Sequence, residues 1–241
     1  MSKKELIRLG TDGLVVGENR KPVQTFKPGW VMLVVDTSQS MSSFPNSVNP
    51  HLNKVKCSQS VVVDGLKVSV PDDDEPPLQG RTALDIARAE AIEFANKART
   101  QRYLTGLVAF DDDAKIIRSP EEKIPFVESA AALQVGGGTN MTAGIFVAST
   151  TLQQAPGEKA MVIISDGLPN DEEKTIRAAN NAKRLGVRII TIGVPGANEG
   201  FLKQIASDSD LATITDFAQL GDAMGKAINL LPPPRTITRK G

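Results

Sequence analysis

Short, continuously apolar runs alternate along this chain with longer segments whose apolar positions recur at helical spacing. The first run, Trp30 to Val35 (WVMLVV), offers no side chain to water and stops at Asp36, as a strand in the middle of a sheet covered on both faces would. From Thr82 to Ala98, the residues Ala83, Leu84, Ala87, Ala91, Phe94, Ala95 and Ala98 mark one helix face, with Arg88, Glu90, Glu93 and Lys97 on the others. Leu104 to Phe110 and Ala114 to Arg118 read as strands separated only by Asp111-Asp112-Asp113, a connection short enough to force an antiparallel pair. Phe126 to Gln134 reads as helical. The loop Gly136-Gly137-Gly138-Thr139 then leads into a helix from Thr142 to Gln154. Lys159 to Ser165 (KAMVIIS) is a buried strand stopped by Asp166-Gly167, and Asp171 to Leu185 is a helix closed by Gly186. Val187 to Gly193 is a strand, Asn198 to Ser207 a helix, Leu211 to Thr215 the final strand and Phe217 to Leu230 the final helix. The triplet Pro232 to Pro234 is expected to end all regular structure. This alternation predicts an α/β fold: a Rossmann-like, doubly wound, mostly parallel sheet with one antiparallel edge strand and helices on both faces.

Two segments stand outside the alternation. Residues 1–28, with short apolar stretches around Thr11-Asp12-Gly13, read as an N-terminal extension or edge hairpin. Residues 42–80 form an insertion between the first strand and its helix, far longer than an ordinary connection. Within it Val61-Val62-Val63, Asp64-Gly65 and Leu66 to Val70 carry a hairpin signal, since Asp-Gly suits a type I′ turn. The acidic run between Pro71 and Pro77 reads as exposed loop. The expected organisation is an extension over 1–28, one domain over 29–230 containing the insertion, and a proline-rich tail over 231–241.

With 241 residues and 40% hydrophobic content, one substantial core is affordable. Lys plus Arg and Asp plus Glu both number 28, so no net field favours nucleic acid or an anionic membrane as partner. Cys57 is the single cysteine, which excludes an internal disulfide and a thiolate zinc site and fits a reducing compartment. No signal-peptide pattern follows MSKKELIRLGTDG, and no segment approaches the roughly 18 apolar residues of a membrane span. A cytoplasmic location is the expectation.

The candidate chemistry sits where buried strands run out. Asp36-Thr37-Ser38-Gln39-Ser40 follows the first strand and Asp166 follows KAMVIIS, so both emerge at the carboxyl edge of the sheet, and the glycine loop carries Thr139 at the same end. Three segments thus deliver only oxygen ligands to one place. Hydroxyls with few carboxylates and no histidine or thiolate suit a hard cation, Mg²⁺ or Mn²⁺ rather than a dedicated Ca²⁺ cage. An ion with so few anionic ligands stays electron-poor and favours an added carboxylate, which an Asp or Glu of a partner could supply.

In these residues the sequence resembles the von Willebrand factor A domain family, whose metal-ion-dependent adhesion site is written D-x-S-x-S, then a distant Thr, then a distant Asp. The matching positions are Asp36, Ser38 and Ser40 in VVDTSQSM, Thr139 in GGGTNMTAGI and Asp166 in IISDGLPND, over a resemblance spanning roughly residues 29–230. It implies that Ser38, Ser40 and Thr139 contact the metal directly, while Asp36 and Asp166 act largely through water or hydrogen bonds. It further implies metal-dependent protein recognition without catalysis, and an adaptor role such as intracellular members fill, some beside chaperone-like ATPases. The departure from the family pattern is the insertion, which begins directly after the metal loop.

Other readings compete for the same residues. Asp36, Ser38 and Ser40 alone could be a helix cap or turn, and Gly136 to Thr139 a phosphate cradle, although the Gly-Lys-Ser/Thr ending of a P-loop is missing. A Ser-His-Asp triad would have to recruit His51, the one histidine, from the insertion. The acidic groups Asp111 to Asp113 and Asp72 to Glu75 read as charged surface rather than further cation sites, and Cys57 as a small packing residue. Two functional alternatives remain. One is a Mg²⁺-dependent phosphohydrolase with Asp36 as nucleophile, although Ser38 stands where haloacid-dehalogenase-like enzymes carry a second Asp. The other is a structural assembly subunit with a vestigial metal loop.

Overall fold

The computed structural model describes residues 24–44, 62–63, 66–67, 81–234 and 236–238. The strands are β1 (Gln24–Phe26), β2 (Gly29–Asp36), β3 (Val62–Val63), β4 (Leu66–Lys67), β5 (Tyr103–Phe110), β6 (Ala114–Arg118), β7 (Lys159–Ser165), β8 (Val187–Gly193), β9 (Ala212–Ile214) and β10 (Thr236–Thr238). The α-helices are α1 (Ala83–Thr100), α2 (Phe126–Ala131), α3 (Met141–Gln153), α4 (Glu172–Arg184), α5 (Glu199–Ile205) and α6 (Leu220–Asn229). Six strands form the main sheet in the order β6-β5-β2-β7-β8-β9. All neighbours are parallel except β5 and β6, whose short acidic turn permits nothing else.

The continuous apolar runs are explained by burial on both faces. Val31, Leu33 and Val35 of β2 join Val162 and Ile164 of β7 in a core against α1 and α6. Trp30, Met32 and Val34 join Met161 and Ile163 in a second core against α3, α4 and α5. Each strand therefore feeds both layers at alternate positions. Helix α1 is started by a capping box in which the Thr82 hydroxyl accepts the Asp85 amide (3.2 Å) and the Asp85 carboxylate accepts the Thr82 amide (3.1 Å). Gly186, just past α4, has φ +78°, the left-handed value that favours glycine there.

From β2 the chain winds to β5 and β6 on one side, then crosses back to β7 on the other. The switch falls between β2 and β7, whose following helices α1 and α4 pack on opposite faces. Their carboxyl ends open the crevice where open α/β sheets place ligands.

Several expectations are revised. Helix α2 ends at Ala131, short of Gln134, and Leu133 beyond it is buried. Phe217–Gln219 forms a 3₁₀ turn before α6. The prolines after α6 do not end regular structure: Thr236–Thr238 pairs antiparallel with Gln24–Phe26. Pro232 itself is tied back, its carbonyl accepting the Tyr103 hydroxyl. Inside the insertion, Val62–Val63 and Leu66–Lys67 pair antiparallel as the hairpin signal predicts. The Asp64-Gly65 turn, the stretch around Thr11-Asp12-Gly13, His51, Cys57 and Asp72 to Glu75 lie outside the described residues. No helix among the described residues is long and apolar enough to cross a membrane.

Candidate functional site

Asp36 is the last residue of β2 and is fully buried. One carboxylate oxygen accepts the Ser38 amide at 2.9 Å and the other accepts the Ser165 hydroxyl at 2.6 Å. The first bond folds the loop after β2 back on itself, and the second ties it to the end of β7. Thr37 continues the β5 edge, both its amide (2.9 Å) and its hydroxyl (3.0 Å) donating to the Phe110 carbonyl.

With the loop so fixed, Ser38 and Ser40 bring their hydroxyl oxygens to 3.0 Å from each other, and the Ser40 hydroxyl donates to Asp166 at 2.9 Å. Ser38 and Asp166 are buried, Asp166 retaining 8% exposure, and Ser40 opens to solvent. The glycine loop is stitched to the same segment: the Gly136 amide donates to the Thr37 carbonyl (2.7 Å) and the Gln39 amide to the Gly137 carbonyl (2.9 Å). Thr139 follows, half-buried, its hydroxyl 3.9 Å from where a side chain on Gly167 would begin. The structure therefore places all five predicted residues at one edge. It links Asp36, Ser38, Ser40 and Asp166 in a continuous chain of hydrogen bonds through the Ser38 amide, with Ser165 holding the Asp36 end and Thr139 beside Gly167.

Burial pushes the Asp36 carboxyl up to about 6, against the hydrogen bonds from Ser165 and Ser38, and the nearby Asp166 adds to the rise. Burial also raises Asp166, against the Ser40 hydrogen bond. No Lys or Arg forms an ion pair with either carboxylate among the described residues, so two desolvated acids lie close together without a cation to offset them. The donor set fits a divalent ion on geometry as well as on charge. The Ser38, Ser40 and Asp166 oxygens stand within hydrogen-bond distance of one another in sequence, at 3.0 and 2.9 Å, so neighbouring oxygens lie within reach of one hard cation.

Three supporting residues escape sequence reading. Ser165 looks like the last residue of a buried strand, yet it completes Asp36. Asn170 looks like loop, yet its side chain accepts the Thr139 amide at 3.2 Å. Asp112, read as charged surface, accepts the Gly138 amide at 2.9 Å. The three glycines lie close against this turn: a Cβ on Gly136 would meet the Asp111 carboxylate, and one on Gly137 or Gly138 that of Asp112. The loop is packed against an acidic turn, which leaves a phosphate cradle no support. The one available signal was adjacency, since Ser165 precedes Asp166 and Asn170 follows it by four positions.

The fold and the site together define a doubly wound sheet with hydroxyls and carboxylates gathered in the loops at its switch point. The chain belongs to the von Willebrand factor type A domain family, whose model matches residues 31–226. The human collagen alpha-1(XX) chain is 30% identical over 139 residues, which cover 52% of this chain and 11% of that one; the chain thus spans about a tenth of that relative's length. The vWF domain of the type V pili tip protein Mfa5 from Porphyromonas gingivalis superimposes with TM-score 0.62 at 14% identity, over 86% of this chain and 95% of that one. Proximal thread matrix protein 1 from the mussel byssus, solved with zinc in its MIDAS motif, gives TM-score 0.61 at 18% identity, over 90% of this chain and 50% of that one. At these identities the structural likenesses show the fold.

Proposed function

We propose that Asp36, Ser38, Ser40, Thr139 and Asp166 hold one Mg²⁺ or Mn²⁺, and that the ion binds an Asp or Glu carboxylate of a protein partner. The observation that carries this reading is the row of three oxygens from Ser38, Ser40 and Asp166 beside two buried acids that no Lys or Arg pairs among the described residues. Hydroxyl and carboxylate oxygens without imidazole or thiolate in the donor set support Mg²⁺ or Mn²⁺ over the zinc recorded in the mussel protein. Ser38, Ser40 and Thr139 supply neutral oxygens. Asp166 shares its charge through Ser40, and Asp36 sets the loop. When bound, the ion supplies an electron-poor centre able to accept an external anion.

What supports a binding module over a hydrolase is the position of Asp36. It is fully buried with both oxygens in hydrogen bonds, a poor place for a nucleophile. What supports a protein as ligand is the apolar surface flanking the site in sequence: Phe44, four residues after Ser40, is 60% exposed, and Leu168, two after Asp166, is 45% exposed. The single cysteine and balanced charge support a cytoplasmic adaptor, with a chaperone-like ATPase system as one setting for it. Titration calorimetry of chelator-stripped protein tests the site. One Mn²⁺ or Mg²⁺ per chain is expected for the wild type and none for Ser38→Ala/Asp166→Ala. Equal binding by both proteins would defeat the proposed ligand set.

A further inference from the structure

We propose that Asn170 is a positioning residue for the cation site, acting through Thr139, with the acidic turn at Asp112 holding the same loop from the other side. The inference rests on reading the site as a cation centre and adds how its least anchored member is kept in place. Thr139 follows three glycines, the residues with most backbone freedom to lose, and a neutral hydroxyl is a useful ligand only where its position is fixed by outer partners.

The structure supplies those partners at three consecutive residues. The Gly138 amide donates to the Asp112 carboxylate (2.9 Å). The Thr139 amide donates to the Asn170 side-chain oxygen (3.2 Å), and the Thr139 carbonyl accepts the Asn170 amide (3.0 Å). The Asn140 amide donates to the Asp111 carbonyl (2.6 Å) and its side chain to the Asp112 carbonyl (3.1 Å). Asn170 thus embraces the Thr139 peptide from the loop after β7, the same loop that begins with Asp166. The Asp166 and Thr139 sides of the site are therefore held in register by one short segment. The Asn170 side chain is exposed, so removing it should leave the rest of the fold intact.

The test uses the whole chain and Mn²⁺ itself as probe. In chelated protein, amide hydrogen exchange at Thr139 is expected to speed up in Asn170→Ala and to return toward the wild-type rate in Asn170→Asp, which keeps an accepting oxygen. Mn²⁺ affinity should fall about ten-fold in Asn170→Ala, with the melting temperature of the metal-free protein unchanged. In a Thr139→Ala background the same substitution should change affinity by less than about two-fold, because its route to the metal has gone. Unaltered exchange at Thr139, unaltered affinity, or a full ten-fold loss that persists without the Thr139 hydroxyl would each overturn the assignment while leaving the cation site standing. A wild-type chain that takes up no Mn²⁺ would overturn both.

Discussion

The two halves of the site are built on different terms. On the inner side, Asp36 is sealed from water, its oxygens taken by the Ser38 amide and the Ser165 hydroxyl. On the outer side, Ser40 is exposed and Thr139 half-exposed, each meeting the inner side through a single loop. The inner half is architecture that also carries a charge, and the outer half is accessible surface that carries little of the fold. The two should therefore respond in opposite ways to substitution.

The largest expected effect is on the inner side. The folded-state carboxyl of Asp36 lies at about 6, above the 3.8 of an unfolded Asp. The folded metal-free protein therefore binds more protons than the unfolded chain between these values, so stability is fullest below about pH 4 and declines as pH rises to about 6. The shift corresponds to about 3 kcal/mol, with Asp166 contributing in the same direction. Asp36→Asn should flatten this slope in denaturant unfolding of chelated protein, so that at pH 7.5, a choice of roughly neutral buffer above that window, the variant is at least as stable as wild type. The same variant should lose Mn²⁺ binding. In the wild type, binding should weaken as pH falls below about 6, because the ion must displace the Asp36 proton. A wild-type slope retained in Asp36→Asn would show that another group is responsible.

A smaller contrast separates the two serines that bridge the site. Ser165→Ala removes a buried donor from a carboxylate and should cost about 1–3 kcal/mol of metal-free stability at neutral pH, along with metal affinity. Ser40→Ala removes an exposed hydroxyl whose partner Asp166 keeps some access to water, and should cost less stability than Ser165→Ala, yet weaken Mn²⁺ about ten-fold or more. Equal stability losses in the two variants would erase the distinction between halves.

The same division explains what could be read in advance. β2, β7 and β8 were legible because strands buried on both faces read as nearly continuous apolar runs, α1 because its apolar positions recur at helical spacing, and α4 because Gly186 closes it. That Asp36, Ser38, Ser40 and Asp166 share one edge of the sheet was legible because strand ends fix where the chain must emerge. β10 was not, since proline argues locally against structure and the pairing with β1 joins residues over 200 positions apart. Ser165, Asn170 and Asp112 were not, because each acts on a partner that only tertiary folding brings near. Their residue types are common at a strand end, a helix approach and a turn.

The central claim is that a bound ion here accepts an external carboxylate, and water-proton relaxation of the Mn²⁺-loaded protein tests it most directly. Addition of N-acetyl-aspartate amide should displace bound water and lower the relaxivity saturably, while the uncharged N-acetyl-asparagine amide should not. A relaxivity that neither compound changes, with Mn²⁺ demonstrably bound, would mean that the ion serves the fold alone and that recognition lies elsewhere on the surface.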